Sequence, residues 1–111
     1  MTFKTAMISQ PMGDRSHEHI KEVRDKAMKE LYENGYETLD TYFDYGNDED
    51  LYNEGVRNIG VFYLAKSIEM LSHADLLYMV DDWWNAKGCL IEKTIAAKYG
   101  IPIVYQTQRP D

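Results

Sequence analysis

The chain has 111 residues, 44% hydrophobic and 28% charged, which fits one globular domain over 1–111 and excludes a disordered segment. A formal net charge of −7 excludes a nucleic-acid backbone as the main partner, although a locally positive pocket can still hold a small anion. The single cysteine, the absence of a signal-peptide pattern in "MTFKTAMISQPM" and the lack of any long apolar run imply a cytoplasmic protein without disulfide or membrane span.

In chain order, "FKTAMIS" (3–9) predicts a buried strand that stops at the turn-like "SQPMGD". Ser16 offers a helix N-cap, and Ile20, Val23, Ala27 and Leu31 recur at helical spacing until Gly35 stops the helix. "YETLDTYF" (36–43) alternates enough aromatic and β-branched residues for a second strand. The acidic segment "DYGNDEDLYNEG" (44–55) predicts a surface loop. A second helix spans about 56–72, with Val61, Leu64, Ala65, Ile68 and Leu71 on one side. "ADLLYMV" (74–80) is apolar nearly throughout and predicts a strand buried on both faces. A third helix and the strand "IPIVYQ" (101–106) complete the chain.

Strands separated by helices need crossover connections, so this order predicts a three-layer α/β/α fold. Its small parallel sheet of four to five strands would be flavodoxin- or Rossmann-like. Ligands of such sheets bind outside the carboxyl ends of the strands. "SQPMGDR", "FDYGND" and "DDWWNAKG" all fall at that rim.

The residue that stands out is Glu92. At about 100° per residue, Gly88, Ile91, Glu92, Ile95, Ala96 and Tyr99 share one arc of the last helix, so a carboxylate lies on the face that should pack. Two readings follow: a half-solvated first-turn acid favoured by the helix dipole, or a carboxylate aimed into a cleft. Gly88, one turn earlier, lets a ligand approach the helix N-terminus, and Lys87 can meet its anion. Trp83 can pack in the core or stack on a nucleobase. Ser9 ends the first strand with a short hydroxyl, Gly13 loosens the loop after it, and Arg15 can bind an anion bidentately; each also reads as an ordinary turn residue. Asp44, in the acidic segment, reads as a solvated loop residue or as a general acid. His17 and His19 stand on different helical faces, so no metal site is expected. Cys89 reads as a small packing residue.

These segments resemble the nucleoside 2-deoxyribosyltransferase-like proteins along nearly the whole chain. The likeness runs from "ISQPM" through "SHADLLYMV" to "GCLIEKTIAAKYGIPIV", which is similar to the family's G-x-x-x-E-x-x-x-A-x-x-x-G-x-P-[IV] ending. The small members carry similar "SQPM" and "W-x-N-[AS]-[KR]-G-C-x-I-E" segments. The resemblance implies a nucleoside 2-deoxyribosyltransferase-like fold, a nucleoside or 5′-monophosphate as ligand, no cofactor, and a homo-oligomer, dimer or tetramer. It implies Glu92 as the nucleophile at the anomeric carbon, with Ser9, Gln10, Met12, Gly13, Arg15, Asp44, Trp83, Asn85, Lys87 and Gly88 around the substrate. Two positions depart from the pattern. The active enzymes place an aspartate eight residues before that of "AD", here Ser67, and the transferases an acid six before the glutamate, here Ala86. Catalysis with a substitute acid and nucleotide binding without turnover are both implied by that pattern.

Overall fold

The computed structural model describes residues 3–13, 15–39 and 48–106. In chain order these form β1 (Lys4–Ser9), α1 (His17–Glu33), β2 (Tyr36–Leu39), α2 (Asp48–Asn53) and α3 (Ile59–Leu71). β3 (Leu76–Met79), a 3-10 turn at Trp83–Asn85, α4 (Lys87–Lys98) and β4 (Ile103–Tyr105) follow. The four strands make one parallel sheet in the order β2-β1-β3-β4. This is a small α/β domain whose parallel sheet lies between helices, in a flavodoxin- or Rossmann-like arrangement.

Local chemistry explains the boundaries. Ser16 caps α1 by accepting the backbone N–H of His19, and Gly35, at φ 89°, follows its end in a conformation that glycine adopts freely. α3 begins at Ile59 rather than 56 because Asn58 caps it, accepting from the backbone of Val61. The expected loop at 44–55 is corrected in its second half. Residues 48–53 form α2, with Asp48, Glu49 and Asp50 in the first turn, where the helix dipole favours carboxylates, and Leu51 buried beneath. Of the strand expected at 36–43, the part beyond Leu39 lies outside the described residues.

Side-chain alternation in the central strands builds two cores. Ala6 and Ile8 of β1 and Leu76 and Tyr78 of β3 pack with Ala27 and Leu31 of α1. Met7, Leu77 and Met79 point the other way, into a cluster with Leu71 of α3 and Cys89 and Ala96 of α4. Both faces of β3 are thus buried, as its unbroken apolar run predicts. Tyr78 adds a polar tie by donating its hydroxyl to Glu30 of α1. The strand order explains the layers. β1 leads outward to β2, whereas the later connections run the opposite way, so right-handed crossovers put α1 on one face and α3 and α4 on the other.

The packing predicted for α3 is revised. Its one fully buried residue is Leu71; Ala65 is exposed, and Val61 keeps 59% of its surface open. α3 lies mainly beside α4 rather than squarely on the sheet, so its apolar stripe is only partly covered. Among the described residues, no helix is long and apolar enough to cross a membrane.

Candidate functional site

β1 and β3 are neighbours, yet the chain leaves their carboxyl ends towards opposite helical layers. Such a divergence opens a crevice at the sheet edge. A cavity of about 580 Å³ lies here, walled by the loop after β1, the start of α4 and one side of α3.

Glu92 lines this cavity with only 6% of its surface exposed. The β1 alternation explains its partner: Met7 faces the α4 layer, so Ser9 does too. Ser9 Oγ donates to Glu92 Oε1 at 2.7 Å in a buried contact. The Ser67 hydroxyl of α3 also favours the charged form of the same carboxyl group. Burial pushes the Glu92 carboxyl up to about 7, an effect that the Ser9 and Ser67 hydroxyls partly offset. A group that exchanges its proton near neutrality, and faces a cavity, is suited to acid–base or nucleophilic work.

The helical arc inferred from the sequence is right about Glu92 and shifted around it. Cys89, Glu92 and Ala96 are the buried residues of α4, whereas Ile91 is exposed and Tyr99 is 80% exposed. The helix docks its small residues, Cys89 and Ala96, against Met7, Leu77 and Met79, which rotates Ile91 and Tyr99 outward. Burial also raises the Cys89 thiol to about 11, so it stays protonated and packs.

α4 begins without a side-chain cap, because Ala86 stands at its N-cap. Its first backbone N–H groups therefore lack the capping oxygen that Ser or Asp would supply. Lys87 and Gly88 line the cavity at that end, and a Cβ added to Gly88 would meet nothing within 4 Å. The space over Gly88 is open, so a ligand can approach the start of α4 there.

The opposite wall comes from the loop after β1. Met12, Gly13 and Arg15 line the cavity with Asn85 facing them. Arg15 is held by donating Nη2–H to Asp82 Oδ2 at 2.6 Å and Nη1–H to the Gly13 carbonyl at 3.0 Å. Asp82 spends its other oxygen on Asn85, which donates Nδ2–H at 2.5 Å. Asp82 adopts a left-handed backbone at φ 70°, which costs a non-glycine residue about 1 kcal/mol. That conformation turns the chain from β3 into the Trp83–Asn85 turn and presents both Asp82 oxygens to their donors.

Gln10 is buried beside them and donates Nε2–H to the Ile20 carbonyl at 2.8 Å, while its buried Oε1 has no partner among the described residues. Of the residues named from the sequence, Glu92, Gln10, Met12, Gly13, Arg15, Asn85, Lys87 and Gly88 meet at this cavity, and Ser9 stands directly behind Glu92. Trp83 does not join them. It is 5% exposed and packed between Trp84, Tyr105 and the Lys93 ammonium, within the α4-side core. Asp44 lies outside the described residues.

Apart from Ser67, sequence reasoning missed the contribution of α3. Gly60, Tyr63 and Leu64 line the cavity along with Ser67. The spacing 60, 63, 64, 67 is itself a helical face and was available as a signal, but it reads as packing until the cavity is seen. Among the described residues, no group of three or more His, Cys, Asp and Glu is placed to hold a metal ion.

A family model described as "Domain of unknown function (DUF4406)" matches residues 16–105. No curated protein and no solved structure matches the chain.

Proposed function

The chain belongs to the DUF4406 family, a domain family of unknown function, and on that premise we propose that it is a nucleoside 2-deoxyribosyltransferase-like protein acting on the N-glycosidic bond of a (deoxy)nucleoside or its 5′-monophosphate. The observation that carries the reading is a buried carboxyl group, Glu92, lining a cavity at the carboxyl edge of a parallel sheet and held there by Ser9. Ionised Glu92 attacks the anomeric carbon as the carbon–nitrogen bond breaks. The base departs with the bond electrons and takes a proton at its nitrogen. Water then adds to the anomeric carbon, loses a proton and frees the carboxylate; a second base in place of water gives transfer.

Arg15 and Lys87 supply cations for a 5′-phosphate, and the uncapped start of α4 adds N–H donors beside Gly88. The protein works as a cytoplasmic homo-oligomer, with the exposed apolar side of α3 meeting a second copy.

One observation favours a second reading, nucleotide binding without turnover. Glu92 is the sole carboxylate lining the cavity among the described residues, with Ser67 and Ala86 where the active enzymes have acids. Incubating the purified protein with a panel of nucleosides and 5′-monophosphates, and measuring free base by chromatography, separates the two. Base release that disappears in Glu92→Gln supports the enzyme. Absence of release from every substrate, with thermal stabilisation by some of them, supports the binder.

A further inference from the structure

A second cavity, of about 310 Å³, lies on the other side of Arg15 and shares Gln10, Pro11 and Arg15 with the first. His19, Val23 and Lys26 line it from α1. They stand at i, i+4 and i+7, one face of a helix, so an imidazole and an ammonium project from one wall over an apolar step. Asp81, Asp82 and Gln106 line the wall opposite. The two cavities therefore flank a single guanidinium at the point where β1 and β3 diverge.

The acids of this second chamber are largely engaged within the fold. Asp82 is neutralised by Arg15 and bonded by Asn85. Asp81 Oδ1 accepts the Asp82 backbone N–H, and its backbone N–H donates to Gln106. That leaves the Lys26 ammonium and an imidazole N–H of His19 facing the one carboxylate of Asp81. Arg15 has five N–H donors and uses one on Asp82 and one on Gly13, so donors remain for an anion between the chambers.

We propose that the second cavity takes the distal phosphate of a nucleoside 5′-diphosphate, with the nucleoside at Glu92, the first phosphate at Arg15 and the second between His19 and Lys26. This rests on the nucleotide reading above and extends it from 5′-monophosphates to diphosphates. Asp81 opposes the same phosphate, which gives the proposal a test of sign: removing Lys26 weakens binding and removing the charge of Asp81 strengthens it.

Calorimetric titration of the wild-type protein with the common nucleosides, their 5′-monophosphates and their 5′-diphosphates reads this directly. For the best-bound base, the diphosphate should bind about tenfold more tightly than the monophosphate, the gain expected of new charge-assisted hydrogen bonds. Lys26→Ala should weaken the diphosphate by about threefold and Asp81→Asn tighten it by a similar factor, with the monophosphate unmoved by either. A diphosphate no tighter than the monophosphate, or a Lys26→Ala loss shared equally by both, overturns the second subsite and leaves the nucleotide reading standing. If no nucleoside or nucleotide binds at all, the nucleotide reading fails and the subsite falls with it.

Discussion

Ser9 Oγ donates to Glu92 Oε1 at 2.7 Å across 83 residues of chain, tying the carboxyl end of β1 to the second turn of α4. The bond holds a carboxyl group that burial would otherwise leave costly to ionise. Ser9→Ala should destabilise the fold by about 1–3 kcal/mol, the range for a buried acceptor that loses its donor. Urea denaturation at pH 8, where Glu92 is ionised, measures it. A loss that is absent at pH 8 would show that the contact does not support the charged form.

The pH dependence of stability follows from the same group. The folded carboxyl titrates near 7 against an ordinary value of 4.5, so between those values the native state binds the extra proton. Stability from this group is fully present below about 4.5 and is lost as pH rises through about 7. The loss above pH 7 is about 3 kcal/mol, from the difference between the two pKa values. Glu92→Gln should flatten that slope and be more stable than wild type at pH 8. Denaturant midpoints at pH 4, 6 and 8 compare the two proteins.

Catalysis has the opposite dependence if Glu92 is the nucleophile, since attack needs the carboxylate that acid removes. Base release should therefore rise with pH through about 7. Ser67→Asp would place a second carboxyl group beside Glu92 and supply an acid for the departing base. It should raise the Glu92 pKa further by like-charge repulsion and increase base release at least about tenfold. Initial rates across pH 5–9 for both proteins are the measurement, and an unchanged rate would favour the binding reading.

Gly88 separates folding from ligand binding. An added methyl group meets no protein atom, and alanine is the better helix former, so Gly88→Ala should leave stability unchanged or raise it by about 0.5–1 kcal/mol. The same methyl enters the space beside the start of α4 and should weaken nucleotide binding about tenfold. Thermal melts and calorimetry on one preparation read both effects. Unaltered affinity would move the ligand away from Gly88.

The partly covered face of α3 bears on assembly. Val61 is an apolar residue with 59% of its surface exposed, and Leu90 and Ile91 of the adjoining α4 are exposed as well. Val61→Lys should convert a homo-oligomer to monomer in sedimentation velocity while leaving the melting transition of the monomer cooperative. A wild-type protein that sediments as a monomer removes the expectation.

Much of the fold was legible because its signals are local. The Ser16 and Asn58 caps, the glycine stop at Gly35 and the unbroken apolar run of β3 each act within a few residues. The short α2 was missed because its six residues carry a strong acidic composition and a single buried side chain, Leu51. Trp83 shows the limit of reading a residue type: an indole suits a base platform and a core equally, and packing against Trp84 and Tyr105 decided for the core.

By itself the sequence determined that strands and helices alternate and that Glu92 sits on the inward side of α4, because helical and strand periodicities are properties of neighbouring residues. Only the tertiary structure decided what meets Glu92. The β2-β1-β3-β4 order sets β1 beside β3, turns Ser9 towards α4 and lets Arg15 reach Asp82 across 67 residues. Those contacts depend on strand order and register, which residue periodicity leaves open. The same arrangement puts one guanidinium between two cavities, a relationship that neither loop carries alone.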